Sequence, residues 1–325
     1  MTGAFAWLRR WGISCASLAG GLLTLFVFRR DLPQARWIIG YLLLLWLLIV
    51  LSLQLREGFR ATRTGRLVLG AADYTIQTLY HGVLLFLLPA YWASTTLDSP
   101  NVAFLLVLAA LALLATFDPW YWMAVRWLPA VVHVFFFVSV FAALNVALPL
   151  VGLPPFRAML LAAWIAVVGL SPALRRGFGW TWGRALGGTA LAGLGVAALA
   201  FLARGGIPPT PLFLARATLA RDVAAGIPVD RLPTSIRPED LRGLVAFTAV
   251  YAPAGLRQPI AHEWRREGRL VSVVRLSPIQ GGRRDGFRTY SRRTLTVAEP
   301  EGRWTVDVVT DSGQLIGRLR FRVAS

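Results

Sequence analysis

Two kinds of hydrophobic patterning divide this chain. Up to about residue 204, apolar residues gather into long runs; from Leu244 onward, apolar and polar residues alternate. Runs of about 17 to 25 apolar residues have the length that a helix needs to cross a bilayer core. Seven stretches qualify: 11–28, 37–55, 67–92, 101–117, 127–151, 156–173 and 185–203. The fourth is short and ends at Asp118-Pro119-Trp120, where proline stops a helix and tryptophan suits a lipid–water interface, so six spans is the alternative count. The period-two region predicts strands near 244–252, 258–264, 270–276, 287–295, 303–310 and 314–323, separated by glycine-containing turns. The expected fold is a multi-pass α-helical membrane bundle of about seven spans followed by a small all-β, immunoglobulin-like sandwich.

The domains expected are a polytopic transmembrane domain over 1–203, a proline-rich connector over 204–243 and a β-sandwich module over 244–325. Within the connector, 212–225 reads as a short amphipathic helix with Arg216 and Arg221 on its polar side. In the last strand, Leu315, Gly317, Leu319, Phe321 and Val323 are expected to face inward, and Ile316, Arg318, Arg320 and Arg322 outward.

Composition sharpens the membrane reading. Of 325 residues, 56% are hydrophobic, more than an ordinary soluble protein carries. The net charge of +18 comes from arginine alone, and many arginines flank apolar runs, where they set topology. With the N-terminus inside, the inner segments hold Arg9, Arg10, Arg56, Arg60, Arg63, Arg66, Arg126, Arg175, Arg176 and Arg184, against Arg29, Arg30, Arg36 and Arg157 outside. The first run has basic flanks and no small-residue cleavage site, so it reads as a retained span. The expected location is a bacterial inner membrane with the module on the periplasmic side. Cys15 is the single cysteine, which excludes an intramolecular disulfide.

Chemistry could reside in two places. Asp73, Gln77 and His81 recur every four residues and share one helix face, and Asp73 lies at a depth where His133 of another span could pair with it. This face serves either a proton or substrate path, as in a transporter or membrane enzyme, or an interhelical hydrogen-bonded latch, which is favoured. In the tail, Arg283, Arg284, Arg288, Arg292 and Arg293 lie in and beside one glycine-rich hairpin, with Phe287 and Tyr290 interleaved. From Arg204 onward there are twenty arginines against eleven acidic residues. Guanidinium forks suit phosphate and carboxylate, so the expected partners are membrane lipid headgroups, an anionic envelope glycan or a periplasmic protein. The competing readings are a solvated basic surface, or arginines paired with Asp285, Asp307 and Glu299 on neighbouring strands. Nucleic acid is excluded by the expected compartment.

The tail lacks the residues of common catalysts. It holds one histidine, His262, and no cysteine, which leaves no zinc site, and the chain has no phosphate loop, dinucleotide fingerprint or nucleophile elbow. No cofactor is expected and no catalytic residue is assigned. Ser277 and Ser291 have no evident base, although His262 could approach either.

A resemblance is carried by His262-Glu263-Trp264 followed by Gly268, by Ser291-Arg292-Arg293, and by Gly302-Arg303-Trp304-Thr305-Val306 with the closing 317–323 strand. On these residues the tail resembles the C-terminal module of uncharacterised bacterial membrane proteins in domain of unknown function 2914. The resemblance implies this architecture and no activity.

Overall fold

The computed structural model describes residues 40, 44–51, 62–294 and 300–324. The chain forms two compact units. The first comprises Met1–Pro89, Leu105–Ala147 and Arg157–Leu202; the second comprises Ala90–Phe104, Leu148–Phe156 and Ala203–Ser325.

Helices supply the first unit: α1 (Arg63–Ala93), α2 (Val102–Thr116), α3 (Asp118–Trp127), α4 (Val131–Leu150), α5 (Pro155–Val168), α6 (Ser171–Phe178) and α7 (Trp182–Leu202). Three helical stretches among the described residues are long and apolar enough to cross a membrane: Val131–Leu150, Pro155–Phe178 and Trp182–Leu202. They answer to the expected fifth, sixth and seventh spans. Leu191, Leu194, Leu199 and Leu202 of α7 are exposed, as on a helix whose apolar side meets no protein.

Among the described residues, where the last five of the seven expected spans fall, three stretches meet that test, or four if the bent α2–α3 pair is one span. The expected first span lies outside the described residues, and of the second only residues 40 and 44–51 are described, as helix. The third falls within α1, where Asp73, Thr75, Gln77, Thr78 and His81 dilute the apolar run. The fourth is α2, and the chain turns by 106° between it and α3. Pro119 sits in the first turn of α3, where its missing N–H costs nothing, but the same residue could not have continued α2. The α2–α3 pair is therefore at most one broken span.

The β part of the second unit consists of two sheets. A four-stranded sheet has the order β2-β1-β4-β7 and a five-stranded sheet the order β3-β9-β8-β5-β6. The strands are β1 (Phe213–Ala224), β2 (Ile227–Leu232), β3 (Ser235–Ile236), β4 (Leu244–Tyr251), β5 (Arg257–Arg266), β6 (Arg269–Gln280), β7 (Phe287–Arg293), β8 (Gly302–Thr310) and β9 (Leu315–Val323). All pair antiparallel except β3 with β9. Between β5 and β6 the turn is the two residues Glu267-Gly268, both at positive φ, which matches the twist of the flanking strands.

The core lies between the sheets. Leu219, Leu244 and Ala246 of one pack with Trp264, Trp304, Val306, Phe321 and Val323 of the other. Trp304 stacks on Phe321 at 6.0 Å, and its Nε1 donates to Pro300 O at 2.8 Å.

Three expectations change here. Residues 212–225 form β1 rather than an amphipathic helix, because pairing with both β2 and β4 satisfies its backbone on two sides. Ile316 is buried at 1% exposure rather than facing outward. The β8–β9 register shifts beside it, Val308 facing Gly317 and Val309 facing Leu315, so a bulge turns Ile316 into the core. The same bulge brings Gly317 against β1, where a Cβ would stand 2.7 Å from Leu214 Cβ. Third, the glycine-rich stretch 281–286 is no hairpin turn: β6 and β7 belong to different sheets, and 281–286 crosses from one to the other.

Candidate anion-binding face

On β7 the side chains alternate between core and solvent. Thr289 and Ser291 are buried, while Arg288, Tyr290 and Arg292 are exposed on the outer face of the four-stranded sheet. Register places Arg288 opposite Ala249, Tyr290 opposite Phe247 and Arg292 opposite Val245. These β4 residues are buried at no more than 3% exposure, so the middle of this face is covered and its rim of Arg288, Tyr290 and Arg292 is what meets solvent. On the other side of β4, Arg216 of β1 pairs in register with Ala249 and is also exposed. Phe213 and Tyr251, stacked at 4.7 Å, close one end.

The six expected ligand-binding residues are only partly gathered. Arg283 and Arg284 are exposed on the crossover, with Arg283 lying over the Phe287 ring at 5.1 Å. Arg288 and Tyr290 project from the face. Arg292 reaches across to Asp222 of β1, an exposed ion pair of small energetic weight that nevertheless occupies the guanidinium. The Asp222 carboxyl is held below its ordinary range by the Val223 N–H and by Arg292. Arg293 turns toward the other sheet and donates to Val273 O at 3.4 Å. Among the described residues, no carboxylate pairs with Arg216, Arg283, Arg284 or Arg288.

The pairing expected with Asp307 goes to other arginines. On the outer face of the five-stranded sheet, Arg318 Nε and Nη2 donate to Asp307 Oδ1 and Oδ2 at 2.6 and 2.8 Å. Arg265 stands 3.5 Å from Asp307 and also binds Glu263. From the chain between α1 and α2, Asp98 accepts from Arg318 Nη1 and from Arg320 Nε, each at 3.0 Å, with Arg320 Nη2 on its other oxygen. Hydrogen bonding to Arg320 and Arg318 lowers the Asp98 pKa to about 2, and bonding to Asp307 raises that of Arg318. Asp98 itself rides on a set loop, since buried Asn101 Oδ1 accepts from Thr96 N and Ser99 Oγ. Sequence reasoning missed Asp98, which lies 220 residues from Arg318. Glu299 is outside the described residues.

Between the sheets, His262 is fully buried. Its Nε2 lies 3.0 Å from Thr248 Oγ1 and its Nδ1 2.8 Å from Ser291 Oγ, which also accepts from Trp264 Nε1 at 3.1 Å. A neutral ring satisfies both contacts, one as donor and one as acceptor. Burial lowers the His262 pKa to about 4. Serine and histidine are at the spacing of nucleophile and base, but Ser291 is 2% exposed and the far nitrogen meets a threonine rather than a carboxylate. What this arrangement does is hold the two sheets together.

In the first unit, the α1 polar face meets the α2–α3 break. Gln77 Nε2 donates to Ala115 O at 3.1 Å, a carbonyl freed at the end of α2, and to Asp118 Oδ1 at 2.7 Å. His81 Nδ1 shares a hydrogen bond with Thr116 Oγ1 at 2.9 Å. Asp73 lies near enough to Tyr121 to interact electrostatically. His133 is exposed on α4, and no pairing of it with Asp73 is found among the described residues. These contacts tie α1 to the end of α2 and the start of α3.

Comparison with known proteins adds family and no activity. No curated protein matches the chain. Residues 257–323 match a protein of unknown function family (DUF2914), which covers β5 to β9. Residues 2–244 match a second family, and this match includes β1, β2 and β3, so the two-sheet fold draws strands from both. The second match spans most of the sequence, and the chain therefore belongs to the family of unknown function DUF5924.

Proposed function

We propose that this is a multi-pass inner-membrane protein whose β unit binds phosphate-bearing anions of the envelope, without catalysis. The site is the outer face of the four-stranded sheet together with the 281–286 crossover. The observation that carries the reading is the set of exposed arginines, Arg216, Arg283, Arg284 and Arg288, beside exposed Tyr290, with no carboxylate paired to them among the described residues. Guanidinium forks donate bidentately to phosphate oxygens, and an aromatic edge suits sugar or acyl surface.

Chain order supports the membrane side. Segments of the second unit fall between α1 and α2, between α4 and α5, and after α7. The segments from α3 to α4 and from α6 to α7 carry Arg126, and Arg175, Arg176 and Arg184. By the positive-inside rule those lie in the cytoplasm and the β unit outside it.

The test uses full-length protein in zwitterionic nanodiscs, titrated with phosphatidylglycerol vesicles, lipopolysaccharide and inorganic phosphate across a salt series. Binding should weaken with salt and fall at least about tenfold in the Arg283→Ala/Arg284→Ala/Arg288→Ala variant. Unchanged binding in a folded triple variant refutes the site, and the three ligands separate lipid, glycan and free phosphate as sources.

A second reading rests on the α2–α3 break, since broken helices with polar neighbours line transport paths. Asp73→Asn separates path from latch: a latch loses a little thermal stability with unchanged growth at all pH values, whereas a path loses a pH-dependent activity in a protein of normal stability.

A further inference from the structure

The turn joining the last two membrane-length stretches, Pro155–Phe178 and Trp182–Leu202, gathers arginines and aromatic rings at one end of both. Its backbone is fixed. Gly179 takes a left-handed conformation at φ 64°, and its N–H and that of Trp180 both donate to Arg175 O. Thr181 then opens α7, its Oγ1 accepting from Arg184 N at 3.4 Å and its carbonyl from Ala185 N at 2.9 Å. On this frame the rings of Phe178 and Trp180 stack at 5.2 Å. Trp180 lies over Gly188 of α7, where a Cβ would stand 3.3 Å from the ring. Phe178, Trp180 and Trp182 are all exposed.

Charge at this turn has one sign. No acidic residue occurs between Asp118 and Asp222, and among the described residues no carboxylate pairs with Arg175 or Arg184. Arg175 is held in place. Its guanidinium carbon sits 4.8 Å from the centroid of the Trp182 ring, and its Nε is buried with no hydrogen-bond partner among the described residues. Buried donors in folded proteins are satisfied, so this fork needs an acceptor from outside the chain. Arg184 sits in the first turn of α7, where the helix dipole disfavours a cation. An anion bound beside it removes that penalty.

The surroundings identify the anion. Tryptophans at the end of membrane-length helices mark the headgroup level, and α7 continues from the turn with exposed Leu186, Leu191 and Leu194, an apolar side that fits an acyl chain. We infer that the 175–184 turn binds the phosphodiester headgroup of an anionic lipid. The Arg175 fork and Arg184 take the phosphate, and the exposed rings lie at the level of the glycerol. This inference rests on the membrane reading above and not on the β-unit face, with which it shares no residue.

The test uses full-length protein in non-ionic detergent, with Arg283→Ala/Arg284→Ala/Arg288→Ala as background so that the β-unit face does not contribute. Native mass spectrometry gives the affinities for phosphatidylglycerol and, as zwitterionic reference, phosphatidylcholine. The inference predicts at least about tenfold tighter binding of phosphatidylglycerol, and loss of that preference when Arg175→Gln and Arg184→Gln are added. Trp182→Leu keeps both charges and an apolar side chain but removes the ring under Arg175, and should cut the preference at least about threefold. Absence of the preference in the background protein, or its retention in either variant, overturns the site. A loss that falls equally on the two lipids also overturns it, since damaged packing then explains the result. Displacement of phosphatidylglycerol by inorganic phosphate at roughly 10 mM assigns the arginines to a free ion and overturns the lipid.

Discussion

Replacing Asp307 with alanine is expected to destabilise the β unit by about 3 kcal/mol, the low end of what breaking a buried ion pair costs. Asp307 has a side chain only 5% exposed, and Arg318 is 19% exposed. Removing the carboxylate leaves Arg318 and Arg265 as neighbouring cations with one fewer counter-charge in a site that water reaches poorly. Arg318 would retain Asp98, and Arg265 would retain Glu263, which is why the loss should not reach the top of the range. Replacing both ends of the pair, Asp307→Leu with Arg318→Met, should cost much less than the single change, because desolvated charge is then removed from both sides. Urea unfolding followed by hydrogen exchange of β8 and β9 amides measures both. Equal losses in the single and double variants would show that packing, and not the charge, governs this face.

Acid should weaken the same unit through His262. Its pKa is about 4 in the folded chain against an ordinary value of 6.5, so the unfolded chain takes up the proton first. Stability is full above pH 6.5, falls as pH drops from 6.5 to 4, and levels off below that, with a total loss on the order of 3 kcal/mol. Asp98 does not obscure this window. Asp98, lowered to about 2, contributes stability that is complete above its ordinary value of 3.8 and is lost only as pH falls through about 2. Replacing His262 with glutamine keeps polar contacts toward Thr248 and Ser291 but removes the titration. Protection of β4, β5 and β8 amides should therefore decline between pH 6.5 and 4 in the natural chain and stay flat in His262→Gln. An unaltered slope in the variant would remove His262 from the account.

Period-two alternation marked out β4 to β9 within a few residues, although β4 itself is buried on both faces. It misread two places where a local irregularity overrides the period. A bulge at Ile316 inverts the alternation along β9, and nothing in Gln314-Leu315-Ile316-Gly317 announces the extra residue. The stretch 213–224 has leucine, alanine and arginine spaced as well for a helix as for a strand, and only pairing on both sides decides it. The fourth expected span was read as straight for a related reason. Length and hydropathy register an apolar run, but the 106° turn at Phe117 is a matter of backbone direction.

Of the candidate site, the alternation of Arg288, Tyr290 and Arg292 was readable, and the engagement of Arg292 by Asp222 was not. Nor was the partner of Arg318 and Arg320. Asp98 follows α1 by five residues, in a loop far away in sequence, and long-range ion pairs leave no periodic trace. Gln77 and His81 were legible as one face of a helix. Their partners, Ala115, Asp118 and Thr116, exist in that arrangement because α2 stops where it does.

Hydrogen–deuterium exchange of the full-length protein in zwitterionic nanodiscs, with and without phosphatidylglycerol vesicles, tests the central claim most directly. The account predicts added protection across 283–292 and in the facing part of β1, with the β8–β9 surface around Asp307 unchanged. Protection confined to the Asp307 surface, or none at 283–292 under conditions where vesicles bind, would contradict it.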